Sequence, residues 1–160
     1  MIRTVYIDGG SRGNPGESAI GYVIFDEHGN EVFRHGKKIG IHTNNFAEYS
    51  SLIEALIYIR QNRTDDSDNE IVIHSDSNLV VNQINNRYRV KSENLLPLFH
   101  KTQKLLDVLP KVRIQYIGRE QNKTADWIVN RTLDGKPYRP VDRSQVGRSD
   151  GTAPEESPGS

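Results

Sequence analysis

The chain has 160 residues and no cysteine, and its 21 Lys and Arg balance 21 Asp and Glu for a formal net charge of zero. That is room for one domain with its own core, and it excludes a disulfide framework, a thiolate zinc site and a cysteine nucleophile. It also excludes an overall positive field drawing the chain onto nucleic acid, so any basic surface must be local.

In chain order, residues 2–7 form an apolar β-type run that delivers Asp8 into Gly9-Gly10-Ser11-Arg12-Gly13-Asn14-Pro15-Gly16, which is expected to be a loop. This predicts a strand tipped with a carboxylate. Residues 19–25 read as a second strand, 26–30 as a turn, and 31–41 as a third strand that returns antiparallel and lies at an edge. Thr43, Asn44 and Asn45 are cap-type residues, and the stripe Phe46, Tyr49, Ile53, Leu56, flanked by Leu52, Ala55 and Ile59, predicts a largely buried helix. Tyr49 is assigned to the core. Glu48 falls among those apolar neighbours, an expensive place for a carboxylate unless a charge meets it there. Residues 62–69 read as a polar surface loop, whose acids lack the glycine and terminal glutamate of a calcium loop.

Ile71-Val72-Ile73 predicts a buried strand, ending in His74-Ser75-Asp76-Ser77 before a helical pattern from Leu79, so Asp76 lies at a strand-to-helix junction. After a break at 85–88, Asn94 as N-cap places Pro97 in the first turn of a helix with Leu95, Phe99, Leu106 and Leu109 on its apolar face. Residues 112–117 are the fifth strand. Residues 118–122 then open a last helix over 123–133, with Asp126 in its first turns and Trp127 packed behind it. This gives one α/β domain over 1–133, a five-stranded mixed sheet in the order βββαβααβα with helices on both faces. Residues 134–160 are too poor in apolar side chains to order themselves and are expected to be a flexible, disordered tail. The chain starts straight into a strand pattern and holds no apolar run long enough for a bilayer, so a cytoplasmic protein without membrane contact is expected.

Asp8, Glu48, Asp76 and Asp126 each fall where a strand is expected to end or a helix to begin, positions that can converge on one sheet edge. Four carboxylates at close range repel unless cations neutralise them, and all-oxygen ligation suits Mg²⁺ or Mn²⁺. Two such ions suit in-line displacement at phosphorus, which points to phosphodiester hydrolysis. The histidines do not fit this chemistry. Imidazole is a poor ligand for Mg²⁺, so His74 is expected to pack, and His28, His35, His42 and His100 show no ligand spacing.

Four segments in this order, Asp8 to Gly16, Thr43-Asn44-Asn45-Phe46-Ala47-Glu48-Tyr49, Ser75-Asp76-Ser77 and Arg119-Glu120-Gln121-Asn122-Lys123-Thr124-Ala125-Asp126, resemble the type 1 ribonuclease H family. The resemblance implies a ribonuclease H-like fold, two Mg²⁺ ions with Mn²⁺ as a substitute, and endonucleolytic cutting of the RNA strand of an RNA–DNA hybrid to leave 5′-phosphate and 3′-hydroxyl ends. It carries the metal-binding acids onto Asp8, Glu48, Asp76 and Asp126. Gly13, Asn14, Asn44 and Asn78 would face the RNA sugars, with Thr43 and Asn45 toward the DNA strand. Two departures stand out. Arg119 occupies the place where better-known bacterial members carry a loop histidine; it holds or steers a phosphate but does not shuttle a proton near neutral pH. The link between the middle helices lacks the long basic, Trp-containing protrusion and offers only Arg87, Arg89 and Lys91 to phosphate, so binding is expected to be weak and salt-sensitive. A monomer without processivity is expected. The alternatives are a nuclease of the same fold acting on duplex RNA and a catalytically silent hybrid-binding module.

Overall fold

A computed structural model describes residues 1–64 and 69–139. Strands β1 (Ile2–Arg12), β2 (Gly16–Asp26) and β3 (Glu31–His42) form the antiparallel meander. Helix α1 (Asn44–Asn62) then crosses over the sheet and returns the chain to β4 (Ile71–Ser75), parallel to β1. Helices α2 (Asn78–Ile84) and α3 (Leu96–Asp107) lead to β5 (Val112–Tyr116), parallel to β4, and a 3₁₀ turn (Arg119–Gln121) precedes α4 (Lys123–Leu133). The sheet order is β3-β2-β1-β4-β5, with β3 at an edge as expected.

The main core lies between the sheet and α1. Val5, Ile7, Ile20, Ile24 and Ile73 meet Leu52, Leu56 and Ile59, all fully buried, and α2 and α3 extend the layer. Tyr49 is buried there too, its hydroxyl donating to Gln83 Oε1 at 2.6 Å. On the other face α4 lies close over β2 and β3, where any side chain at Gly21 or Gly36 would strike Ile128 or Thr132. Ala19, Val129 and Leu133 form a second small core beneath it.

Two expectations change. Asp8 does not end its strand, because β1 runs on to Arg12 and pairs with β2 down to Glu17. Gly9 and Gly10 remain in the strand because helices pack against it there: a Cβ on Gly9 would strike the Ala47 backbone, and one on Gly10 would touch Val129. What ends near Asp8 is its parallel neighbour, since Ile7 pairs with Ser75, the last residue of β4. The step in the sheet, rather than a chain end, places Asp8 beside Asp76. The second change concerns α3, whose N-cap is Leu95 rather than Asn94, with the Leu95 and Leu96 N–H groups both donating to Ser92 O. Burial of Leu95 sets that start, with no side-chain cap.

Packing also continues past Leu133, since Tyr138 reaches back to Arg34 and His35. The acidic run 65–68 and everything from 140 onward lie outside the described residues. No helix among the described residues is long and apolar enough to cross a membrane.

Candidate metal centre and substrate cleft

Three elements bring the acids together. β1 supplies Asp8, the second turn of α1 supplies Glu48 and the β4–α2 junction supplies Asp76; one carboxylate oxygen from each lies within 4.8 Å of the others. Local chemistry fixes each position. The Thr43 hydroxyl accepts from Phe46 N at 3.2 Å and caps α1, which sets the height of Glu48 above the sheet. Ser77 rather than Asp76 caps α2, its hydroxyl accepting from Val80 N, and the Asp76 carboxylate is left for the cleft.

Asp8 and Glu48 are only 6% and 7% exposed. Burial pushes the Asp8 carboxyl well above the usual range, and the charges of Glu48 and Asp76 push it further. Burial likewise raises Glu48, against the hydrogen bonds it accepts from Asp8 and the Gly9 backbone. Asp76 is raised by burial, opposed by a hydrogen bond from Asn122 and the charge of Arg119. Glu48 Oε2 is buried without a hydrogen-bond partner. An all-oxygen trio that resists ionisation and keeps an orphan acceptor fits a hard divalent cation.

Asp126 enters the same cleft from the first turn of α4, but it is exposed and stands outside the close trio. Arg119 also lines this cleft, of about 540 Å³, together with Asn44, Asn45 and Ser77. Gly13, Asn14 and Thr43 are exposed around it. The Asn14 side-chain oxygen Oδ1 accepts from Asn44 N at 2.9 Å, and Asn44 Oδ1 accepts from Ser11 N at 2.8 Å. Both amide oxygens are therefore used, and the two NH₂ groups, which have no partner among the described residues, are left as donors. Asn78 lies outside the cleft lining, on the first turn of α2, where it accepts from Asn82. Arg87 and Arg89 line a separate pocket with Tyr88, Leu96 and Phe99. His74 stacks on Tyr6 with ring centroids 4.7 Å apart, so it packs rather than ligates.

Sequence reasoning missed Asn122. It is 1% exposed and bridges two site elements, with Nδ2 donating to Ile7 O at 2.8 Å and to Asp76 Oδ2 at 3.0 Å. Its position in the segment before Asp126 was the available signal, but an amide there reads as an ordinary cap. Arg12 and Asn130, which also line the cleft, carried no signal at all.

Comparison with known proteins agrees with this geometry. Residues 6–132 match the family model described as reverse transcriptase-like. The bifunctional protein Rv2228c of Mycobacterium tuberculosis is 35% identical over 136 residues, covering 84% of this chain and 36% of that protein, so the chain spans about a third of its length. Among solved structures, LC11-RNase H1 in complex with an RNA/DNA hybrid superposes with a TM-score of 0.78 at 38% identity, covering 84% of this chain and 98% of that one. RNase H1 from the halophilic archaeon Halobacterium salinarum gives a TM-score of 0.77 at 34% identity, with coverage of 84% and 98%. With the fold, the acid trio and nearly whole-length matches in agreement, the chain belongs to the type 1 ribonuclease H family.

Proposed function

We propose that the chain is a metal-dependent endoribonuclease that hydrolyses the RNA strand of RNA–DNA hybrids, leaving 5′-phosphate and 3′-hydroxyl ends. The observation that carries this reading is the buried trio Asp8, Glu48 and Asp76 with its unpartnered Glu48 Oε2, set in a cleft flanked by outward-facing amide donors. The similar LC11-RNase H1 was crystallised with such a hybrid, which supports the substrate.

Asp8, Glu48 and Asp76, with Asp126 opposite, would hold two Mg²⁺ ions, or Mn²⁺ in their place. Bound divalent cations supply charge neutralisation at the phosphate and a lowered pKa for the attacking water. The protein's own groups do the rest. The Asn14 and Asn44 NH₂ groups donate into the wide, shallow minor groove, where 2′-hydroxyls accept and DNA offers none. Gly13 and Asn45 continue this surface, the exposed Asn78 would meet the RNA strand from outside the cleft, and the exposed Thr43 would face the DNA strand. Arg119, which lines the cleft beside Asp76, orients a phosphate there. Arg87, Arg89 and Lys91 add salt-sensitive phosphate contacts along the link between α2 and α3.

The test presents one labelled strand sequence as RNA–DNA hybrid, duplex RNA, single-stranded RNA and duplex DNA, with Mg²⁺, Mn²⁺ or EDTA. Cutting confined to the hybrid, dependent on metal and absent in Asp8→Asn, is the expected result. Duplex RNA cut equally well would reassign the substrate, and binding of the hybrid without cutting would make the chain a silent recognition module.

A further inference from the structure

Three of the four acids are held by burial and neighbours, and the fourth is not. Asp126 is exposed, and among the described residues its carboxylate has one hydrogen-bond partner, Asn130 Nδ2 at 3.4 Å one helical turn on. The same nitrogen donates to Asp126 O at 3.0 Å. Asn130 is itself oriented from outside the helix. Arg12, at the end of β1, donates through one guanidinium nitrogen to Asn130 Oδ1 at 3.3 Å and through the other to Asp134 Oδ1. With its oxygen turned toward Arg12, the amide must turn its NH₂ toward Asp126.

Asp134 marks this as a built arrangement. It is the C-cap of α4, where the helix dipole disfavours a carboxylate. Arg12 offsets that cost, and its hydrogen bond holds the Asp134 carboxyl below the usual range. Asp126, Asn130 and Asp134 thus form one stripe along α4, and a single arginine from the sheet grips its lower half. Asn130 and Arg12 both line the cleft that contains the acids.

We propose that Asn130 and Arg12 are positioning residues for Asp126, holding the one exposed acid at the angle needed for a shared metal ion. This rests on the reading of Asp126 as a metal ligand. The arrangement also joins two parts of the site. Arg12 directly precedes Gly13 and Asn14, so the turn that offers donors to substrate and the helix that offers the last metal ligand are braced against each other.

The test uses the full chain and the variants Asn130→Ala, Arg12→Ala and their double. Both side chains are exposed, Asn130 lies in a helix, which alanine favours, and Arg12 is the last residue of its strand, so the variants are expected to fold, as circular dichroism would verify. Mn²⁺ binding is followed by loss of the free-ion electron paramagnetic resonance signal, beside Asp126→Ala. The Mg²⁺ dependence of hybrid cleavage is measured separately from KM for hybrid at saturating Mg²⁺. Each single variant should weaken Mn²⁺ binding and raise the half-saturating Mg²⁺ concentration about tenfold, the usual scale for loss of an outer-shell partner. The double variant should add little to either single, because the two residues act in series. A rise in KM for hybrid with metal affinity unchanged would make Arg12 a phosphate contact and overturn the proposal; so would additive losses, or no loss. A wild-type chain that binds Mn²⁺ but cuts no hybrid would overturn the functional reading alone, and the Mn²⁺ comparison would still decide the positioning role.

Discussion

Two buried charged sites in this chain have opposite bookkeeping. Arg34, 5% exposed, makes paired hydrogen bonds of 2.6 and 2.7 Å to Glu31 and another of 3.0 Å to the Tyr138 carbonyl, while Trp127 lies 6.0 Å from its guanidinium carbon. Opposite charges close that site within the protein. At the other site Asp8 and Glu48 are buried to the same degree, yet their neighbours are acids and one oxygen lacks any partner. Equal burial therefore hides a difference in kind. The first charge is complete as structure, and the second is complete only when something positive arrives from outside.

The largest contrast should come from neutralising one group at each site. Asp8→Asn removes a like charge, so the metal-free protein should melt at a higher temperature while hybrid cleavage falls by roughly 10³-fold. Arg34→Ala leaves Glu31 without its partner and should cost about 3 kcal/mol, with activity per folded molecule retained. Thermal melts in EDTA and cleavage assays on the two variants check both halves. If Asp8→Asn lowered the metal-free melting temperature, the acid trio would be held together by net attraction rather than strained by repulsion.

This contrast also explains what could be read in advance. The strand meander, the buried helix and the β4–α2 junction follow from periodicity and cap residues and carry Asp8, Glu48 and Asp76, while the start of the last helix carries Asp126 to the same cleft. Glu48 was the most legible, since a carboxylate on an apolar helix stripe has no structural use. Arg34 was not legible, because its partners are Glu31, three residues back on the same edge strand, and a carbonyl more than a hundred residues away. The extent of β1 was misread for a related reason. Two consecutive glycines read as a turn until the helices that need their missing side chains are seen. The roles of Asn122, Arg12 and Asn130 depend on contacts between distant segments, which no local pattern records.

A smaller effect should appear in the pH dependence of stability. Carboxyls in an unfolded chain titrate near pH 4, roughly, whereas burial and mutual repulsion raise those of Asp8, Glu48 and Asp76 in the folded chain. Between the two ranges the folded state binds more protons than the unfolded one, so stability falls as pH rises. In EDTA the melting temperature should decline from weakly acid pH through neutrality, and added Mg²⁺ should raise it most at the high end, where the acids must otherwise ionise unpaired. Asp26 and Asp134 are shifted down and tilt the curve the other way, so the diagnostic quantity is the difference from Asp8→Asn, whose slope should be flatter. A Mg²⁺ stabilisation that did not grow with pH would separate metal binding from the ionisation of this trio.

The smallest effect tests how far the closed site depends on the residues after α4. A chain ending at Leu133 lacks the Tyr138 carbonyl that accepts from Arg34, the Pro137 carbonyl that accepts from Arg131 at 2.8 Å and the Asp134 carboxylate that grips Arg12. A chain ending at Arg139 keeps all three. Arg34 would keep Glu31, so the buried charge stays paired and only its third contact goes, which sets the loss at about 2 kcal/mol for the shorter chain. Urea melts of the two lengths measure this directly. Equal midpoints would mean that water replaces the Tyr138 carbonyl without cost, and that the Arg34 site is less enclosed than its burial indicates. A deficit abolished by Arg34→Ala would place the loss at that guanidinium, whereas a deficit that persisted would belong to the other lost contacts, among them the half-buried Tyr138 ring against His35.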